Sequence, residues 1–430
     1  MNALFSSKPL HASLLLVIAL VWVAWKGANP AQAQLVPDRR AEQFPTEPGY
    51  LVLPLPYSMP GLGEGIFWMG HFTNAFETTA DITAIYATGD VKGPLINLGE
   101  VPIIPNFLLF DGFASNLNSA SINIYPFRGM TTGKDDYILV ELNKVQEKNA
   151  QLTATLFDRR LNLYTGMYTG DVAVIAFRDA EGNLIQEFDT PMELQFKSSF
   201  YGAQLDITDS FQDPRKGFRM KTMRTSFPAA SSIESDVDTV DYNLQAYIPV
   251  GKISALVVDY YQSDATVTRE GVTDPAAVQA EVEAQSKGRC EADSAVCEAA
   301  VAAQVQNTID GRKNGTATSL GGRDRLRAYP QGRFAGGHMA FYGVEFRWNL
   351  TEETTPFDYF IWKDVRTGIQ WAFFAETGTV SETSEELWDQ TRNAYGTGIR
   401  LVTASGSVYR ADLGFGDEGS EQTVFFFYPW

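Results

Sequence analysis

The segment GGRDRLRAYP, residues 321–330, is the one whose side chains are best suited to chemistry. It places Arg323, Arg325 and Arg327 beside Asp324, although the formal net charge of the whole chain is -18. Glycine and proline bracket the segment, so it predicts a loop rather than a helix or a strand. Arginine is always charged and offers a rigid fork of donors, so a desolvated arginine needs a carboxylate partner in good geometry.

Other kinds of chemistry find little support in the chain. No Ser-His-Asp, Cys-His or metal-ligand grouping is evident, and His71 and His338 are the only histidines beyond residue 33. We therefore predict a protein that is not an enzyme and has no cofactor or metal. The negative charge argues against nucleic acid as a partner. Cys290 and Cys297 are predicted to form a disulfide in an oxidising compartment; two free thiols are the alternative.

The first residues predict export from the cytoplasm. Lys8 precedes an apolar run from Leu14 to Trp25, which is too short to span a bilayer but is typical of a secretory signal. Ala31-Gln32-Ala33 offers a cleavage site of small residues, so residues 1–33 are predicted to be a signal peptide. A single-pass membrane anchor is the alternative.

Short alternating segments separated by polar turns follow from about residue 61 to the end. We count about eighteen candidate strands, which become about sixteen if short neighbours merge. In FYGVEFRWNL, aromatic and apolar residues share one face while Glu345 and Arg347 share the other. Aromatic residues make up 13% of the chain. This pattern predicts an all-β transmembrane antiparallel barrel in the bacterial outer membrane, with lipid outside and a wet lumen inside.

The predicted organisation has three parts after the signal. Residues 34–60 are proline-rich and are interpreted as a periplasmic lead-in, residues 61–430 as the barrel, and residues 267–337 as a long extracellular loop. Asp274 as N-cap and Pro275 at the first position predict a helix that ends at Gly288, and a second Ala-rich helix is predicted at about 293–308. The two helices would form a hairpin within the long loop.

The region from 320 onward resembles the bacterial surface-antigen barrels, the family of the BamA- and TamA-type outer-membrane insertases. That family has a Gly-Gly pair before a Val/Leu-Arg-Gly-Phe/Tyr tetrad in the loop, and a Phe-x-Asp-x-Gly motif on a wall strand. The loop matches are Gly321, Gly322, Leu326, Arg327 and Tyr329, with Ala328 in place of the glycine, and the strand matches are Phe374, Glu376 and Gly378, with Glu in place of Asp. The resemblance is strong over residues 205–430.

Several expectations follow from this resemblance. It implies sixteen strands and a loop anchored in the lumen by a pair between Arg327 and Glu376. Ala328 cannot easily adopt a positive φ, so the tip of the loop is expected to differ from that of the family. Arg323 and Arg325 are expected to be solvated loop charges.

The last strand is expected to carry further information. Phe426, Tyr428 and Trp430 alternate, which predicts one lipid-facing row and a signal for the barrel-assembly machinery. This strand is expected to pair with the segment 63–72 to close the barrel, and the resemblance implies that this seam opens sideways.

The function implied by the resemblance is protein insertion, translocation or membrane assembly at the outer membrane. Complete insertases carry periplasmic POTRA repeats, so a barrel-only form is expected here. The expected partners are outer-membrane lipid, the barrel-assembly machinery that inserts the chain, and client or accessory proteins. Two alternatives stay open: a gated or passive small-solute pore plugged by the arginine-anchored loop, and a surface display or adhesion barrel with the helical hairpin as docking site.

Overall fold

A computed structural model describes residues 48–286, 295–351, 357–359, 362–365, 368–402 and 408–430. The predicted signal peptide, most of the predicted lead-in and Cys290 lie outside these residues, as does the side chain of Cys297. The signal peptide and the disulfide therefore remain predictions.

Consecutive antiparallel strands form almost the whole of the described chain. Their bounds are β1 Gly49–Met59, β2 Gly63–Ala75, β3 Ala80–Gly89, β4 Gly93–Ile104, β5 Leu108–Leu117, β6 Ala120–Ile124, β7 Ile138–Leu156, β8 Leu161–Arg178, β9 Leu184–Thr208, β10 Gly217–Phe227, β11 Asp236–Val250, β12 Ser254–Arg269, β13 His338–Asn349, β14 Phe357–Tyr359, β15 Trp362–Val365, β16 Gly368–Ser381, β17 Arg392–Val402, β18 Val408–Gly416 and β19 Gly419–Phe426.

These strands close into one barrel. Each wall strand pairs with the next along the chain, and β19 returns to β1. β5 and β6 follow one another along β7, while β14 and β15 form a separate small hairpin. Within the described residues the wall therefore has 16 strands. The predicted all-β barrel is confirmed.

The two faces of the wall differ in the way that the sequence predicted. On β13, Tyr342, Val344 and Trp348 are exposed on the outer face, whereas Glu345 and Arg347 are buried on the inner face. Neighbouring strands of an antiparallel barrel satisfy each other's backbone groups, and an apolar outer face is suited to contact with hydrocarbon. The structure is that of an outer-membrane barrel, as predicted.

The longest connection in the barrel, residues 270–337, identifies one of its two ends. The segments 125–137, 228–235, 270–337 and 382–391 meet at one end, whereas the turns 105–107, 157–160 and 251–253 lie at the other. Outer-membrane barrels carry their longer loops outside the cell. The end with the long loops is therefore taken as extracellular and the other as periplasmic.

The long loop contains the two predicted helices, α1 (Pro275–Ser286) and α2 (Ala295–Asn314). Asp274 caps α1 because its Oδ1 accepts a hydrogen bond from the N–H of Ala277 at 3.0 Å. α2 runs six residues beyond its predicted end at 308, because the sequence to Asn314 contains no proline. In the part of the chain that is described, no helix is long and apolar enough to cross a membrane.

The first wall strand lies inside the segment that was predicted to be a lead-in. β1 pairs with β2 without a break from Gly49 to Met59, so the barrel begins at 49 rather than 61. The strand was not predicted because Pro54 and Pro56 lie within it, and proline is usually excluded from the middle of a sheet. They are accommodated here because their missing N–H groups are not needed by β2.

Candidate functional site

The end of the long loop folds into the lumen as a compact hairpin, residues 315–337, which we call the plug loop. Its two arms are joined where Leu320 and Phe334 exchange backbone hydrogen bonds of 2.8 and 2.9 Å. Gly321 and Gly322 have φ of 101° and 115°, a region that favours glycine, so the Gly-Gly pair provides the turn.

The tetrad forms the tip of the plug loop. The N–H of Tyr329 donates to the carbonyl of Leu326 at 3.0 Å, and Leu326 has a φ of 52°. Ala328 has no positive φ, so the expected disturbance from the missing glycine is not seen. Tyr329 is buried, and its hydroxyl donates to the carbonyl of Asn393 on β17 at 3.1 Å.

Arg327 and Glu376 are in direct contact, and both side chains are fully buried. The Arg327 Nε donates to Glu376 Oε1 at 2.7 Å, and the Arg327 backbone N–H donates to Glu376 Oε2 at 2.8 Å. Phe374, two residues earlier on β16, places its ring 3.5 Å from the Arg327 guanidinium carbon. Alternation on β16 therefore supplies both the carboxylate and the aromatic face that receive the guanidinium.

Arg327 also belongs to a larger ionic network, which we call the charged cluster. Its Nη1 donates to Glu345 at 3.0 Å and to Asp412 at 2.9 Å. All members lie on the inner face of the wall or on the plug loop and are buried. They are Arg327, Arg347, Arg400, Arg410, Glu345, Glu376 and Asp412.

The links in the cluster join residues within one strand as well as residues on different strands. Arg347 donates to Glu345 at 2.8 Å, and Arg400 donates to both oxygens of Glu345 at 2.6 and 2.5 Å. Arg410 donates to Asp412 at 2.5 Å. Burial opposes the charged form of Arg327, but Glu376, Asp412 and Glu345 outweigh it and raise its pKa. Arg327 is therefore a permanent cation in this site.

Glycines on the wall give the plug loop room. A Cβ at Gly414 on β18 would lie 2.6 Å from the Arg327 carbonyl oxygen, and one at Gly416 would lie 3.0 Å from the Cβ of Ala328. A Cβ at Gly378 would lie 2.6 Å from the side chain of Leu320. The plug backbone thus rests directly on β18, and Gly378 of the strand motif makes space for the base of the loop.

Arg323 and Arg325 are not the solvated loop charges that the sequence predicted. The Arg325 guanidinium carbon lies 3.5 Å from the Tyr261 ring, and that of Arg323 lies 4.3 Å from the Phe425 ring. Both side chains are half-buried. Each guanidinium group lies over one aromatic ring of the lumen wall, and the face of such a ring attracts a cation.

The extracellular loop 125–137 covers the plug loop. Arg128 donates to both oxygens of Glu382 at 2.7 and 2.9 Å and to the carbonyl of Gly315 at 2.7 Å. Arg333 of the plug loop donates to both oxygens of Glu418 at 2.9 and 2.7 Å and also bonds Thr132. The plug is therefore held from outside as well as from the wall.

The predicted lipid-facing row Phe426, Tyr428 and Trp430 is wrong beyond Phe426. β19 ends at Phe426, and Phe427 takes a left-handed φ of 66° that reverses the alternation. Trp430 is buried in the lumen and Tyr428 is half-buried there. A residue with positive φ breaks the extended backbone, so a pattern of every second residue cannot continue past it.

The barrel closes between β19 and β1, not between β19 and the segment 63–72. In contrast to the other neighbouring pairs, these two strands share one register pair, Ser58 with Val424. Tyr57 stacks on Phe67 at 4.1 Å between centroids, and Phe67 lies 6.1 Å from Phe426. Aromatic packing thus takes the place of backbone bonding at the seam.

The two prolines of β1 face this seam. The N–H and C=O of one strand residue point to the same edge. The Tyr409 hydroxyl reaches the carbonyl of Pro56 at 2.6 Å from the β18 side, so Pro56, and with it Pro54, turns its missing N–H toward β19. The ladder therefore lacks two donors at the closing edge.

The half of the barrel from β3 to β10 contains a separate polar cavity of about 220 Å³ near its periplasmic end. Glu100 and Arg159 on its wall pair at 2.5 Å, and the Lys221 ammonium lies 5.0 Å from the Tyr164 ring.

Sequence reasoning missed most of the charged cluster and all of the outer contacts. Alternation had placed Glu345 and Arg347 on the polar face of their strand, which was the available signal, but the convergence of the cluster depends on the curvature of the wall. The links of Arg128 to Glu382 and of Arg333 to Glu418 join residues far apart in sequence, and no motif indicated them.

The fold and the site define a class: a transmembrane barrel with an internal plug loop and a weakly paired seam. Solved structures with a related architecture include BamA from Haemophilus ducreyi lacking POTRA domains 1–3, with a TM-score of 0.46, 11% identity, and coverage of 88% of this chain and 69% of that one. CdiB from Escherichia coli gives a TM-score of 0.45, 11% identity, and coverage of 87% and 61%. CdiB from Acinetobacter baumannii gives a TM-score of 0.42, 10% identity, and coverage of 87% of this chain and 58% of that one. The chain therefore spans less than two thirds of the length of either CdiB. No family model and no characterised protein matches the sequence.

Proposed function

We propose that this protein is a surface-antigen-type barrel that acts in protein insertion, translocation or membrane assembly at the outer membrane. It does so without enzymatic chemistry, by opening sideways between β1 and β19. The observation that carries this proposal is the seam, which has one register pair in a barrel whose other neighbours are laddered along their length. Lateral opening here breaks few backbone hydrogen bonds, so it is the least costly route from lumen to lipid.

The plug loop fits the same proposal. It fills the lumen beside the seam and is held by buried ion pairs, which keep the passage closed while the wall opens toward lipid. The partners consistent with this role are outer-membrane lipid, client or accessory proteins, and the machinery that assembles the barrel itself.

The test is a reversible lock at the seam. Ser58→Cys with Val424→Cys, with both native cysteines changed to serine, joins the register partners of β1 and β19. Depletion of the wild-type protein should change the inventory of outer-membrane proteins and lipids. The reduced variant should restore that inventory and the oxidised variant should not.

The matched control joins two strands that are already paired. Leu413→Cys with Gln422→Cys links β18 to β19 at a register pair within their ladder, and function should persist when it is oxidised. Full function with the seam locked would rule out lateral opening, and an unchanged inventory on depletion would rule out the assembly role.

A second candidate is a gated small-solute pore, which the polar cavity of about 220 Å³ favours. Planar-bilayer recording distinguishes the two functions. A stable, ion-selective conductance that rises when Arg327 is replaced would favour the pore.

A further inference from the structure

The tail, residues 427–430, connects the last wall strand to the site that holds the plug loop. The N–H of Phe427 donates to the carbonyl of Val408 at 2.6 Å, and the Phe427 side chain stays exposed. The chain then turns into the lumen. The tail therefore begins at the seam strand and ends inside the barrel.

Trp430 contacts the same carboxylate that anchors the plug. Its Nε1 donates at 3.3 Å to Glu376 Oε1, the oxygen that accepts from Arg327 Nε. The carbonyl oxygen of Trp430 accepts from Arg347 Nη2 at 3.1 Å. Its ring packs in one apolar cluster with Leu326 and other residues of the plug tip.

Space for this indole is built into the wall. A Cβ at Gly343 would lie 2.7 Å from the Trp430 ring, so β13 carries glycine where the indole rests.

Tyr428 provides a second attachment. Its hydroxyl donates to Asp213 Oδ1 at 2.7 Å in the periplasmic turn 209–216 and accepts from Gln370 Nε2 at 2.9 Å. The Arg347 guanidinium carbon lies 3.8 Å from its ring. The tail is thus fixed at two points to groups that belong to the plug site or lie beneath it.

We propose that the tail is a tether that couples the seam to the plug loop. Four residues span at most about 14 Å, so a displacement of the end of β19 beyond the slack of this short segment draws Trp430 away from Glu376. Coupling between two equilibria is reciprocal, so release of the plug loosens the seam in turn. This inference rests on the proposed lateral opening.

The experiment uses the full barrel purified in detergent, with the Ser58→Cys and Val424→Cys lock. The rate of protease cleavage within 315–337 is measured with the lock oxidised and reduced. We expect oxidation to slow cleavage about fivefold or more, the lower range of allosteric couplings. In Trp430→Phe and Trp430→Ala the oxidised and reduced rates should converge.

Trp371→Phe is the matched control, because the outward-facing indole of Trp371 also donates a hydrogen bond, to Thr397 Oγ1 at 2.6 Å, without touching the plug. In this control, the ratio of the cleavage rate with the lock reduced to the rate with the lock oxidised should equal that of the parent. Tyr428→Phe, which removes one hydroxyl, keeps the test usable if Trp430→Ala does not fold, and it should reduce the ratio.

Equal cleavage rates in the locked and reduced parent would overturn the coupling. An unchanged ratio in the Trp430 variants would overturn the role of the tail. Neither measurement depends on cell function. The oxidised lock could leave function in cells intact while it still slows cleavage of the plug loop. That outcome would contradict the proposed function and would support the tether.

Discussion

The two halves of the barrel differ in how their lumen charges find partners. On the side formed by β11–β19, charges on the wall meet across strands and bind the plug loop, as Glu376 binds Arg327. On the side formed by β3–β10, lumen charges pair with one another, as Arg219 pairs with Asp206 at 2.9 Å and Arg159 with Glu100 at 2.5 Å.

This difference shows which half depends on the plug. In the described structure, the side-chain hydrogen bonds between the plug loop and wall strands fall on β11–β18, while the cavity lies against β4–β10. Removal of the plug would leave Glu376 without Arg327 and would take one donor each from Glu345 and Asp412, all in one half. In the half formed by β11–β19 the plug loop supplies part of the ion pairs of the lumen, whereas in the half formed by β3–β10 the barrel itself supplies both partners.

The largest expected effect is that of Arg327→Ala. Breaking a buried ion pair by removing one partner typically costs about 3–5 kcal/mol, because the remaining charge stays buried. Protease cleavage within 315–337 should rise and the free energy of unfolding in urea should fall. Arg159→Ala is the matched control in the other half and should leave cleavage of the plug unchanged. Equal effects of the two variants would remove the difference between the halves.

A charge swap sharpens the same point. If Arg327 and Glu376 formed an isolated pair, Arg327→Glu with Glu376→Arg would recover part of the loss. Because Glu345 and Asp412 also contact Arg327, a glutamate at 327 faces two further carboxylates. The double variant should therefore cleave at least as fast as either single variant, and recovery would contradict the cluster.

A smaller effect is expected from Gly414→Ala. The added methyl group would approach the Arg327 carbonyl oxygen to 2.6 Å, and forcing extra volume into a packed site typically costs about 1–3 kcal/mol. Gly70→Ala on β2 is the control, since its nearest contact would be 4.0 Å away. Thermal unfolding and plug cleavage should change for the first variant and stay constant for the second.

Low pH should weaken the attachment of the extracellular loop 125–137 to the plug loop. Burial raises the pKa of Glu382, but the hydrogen bonds and charge of Arg128 outweigh it, so the pKa lies below its ordinary value of 4.5. A depressed folded-state pKa gives stability that is present above 4.5 and is lost as the pH falls through the folded value. Proteolysis of 125–137 should therefore increase in that acid range, and Glu382→Gln should show this higher rate already at neutral pH.

The smallest effect on the plug is expected for Lys221→Met in the cavity of the other half. Lys221 contacts the Tyr164 ring rather than the plug loop, so the stability of the plug should change by less than about 0.5 kcal/mol. The check is the rate of protease cleavage within 315–337 in Lys221→Met, measured in parallel with that in Arg327→Ala. A comparable increase would show that the two halves are energetically connected.

Alternation in the sequence was enough to predict the barrel and the inner position of Glu345 and Glu376, because a residue's face follows from its parity along a strand. The resemblance to a family pointed to the contact of Arg327 with Glu376. Parity could not show that Phe427 takes a positive φ, so Trp430 was placed toward lipid instead of in the lumen. The prolines of β1 argued against a strand. Sequence alone does not reveal that their missing N–H groups point toward the weakly paired seam, where proline is tolerated.

The prolines at the closing edge make the two sides of the seam unequal as templates for an incoming strand. β19 offers an N–H at Ser420, Gln422, Val424 and Phe426, the residues whose parity matches the pair with Ser58. β1 offers carbonyls but no donor at Pro54 and Pro56. At the proposed opening, a guest strand that extends the sheet by main-chain bonding would therefore add more completely to β19 than to β1.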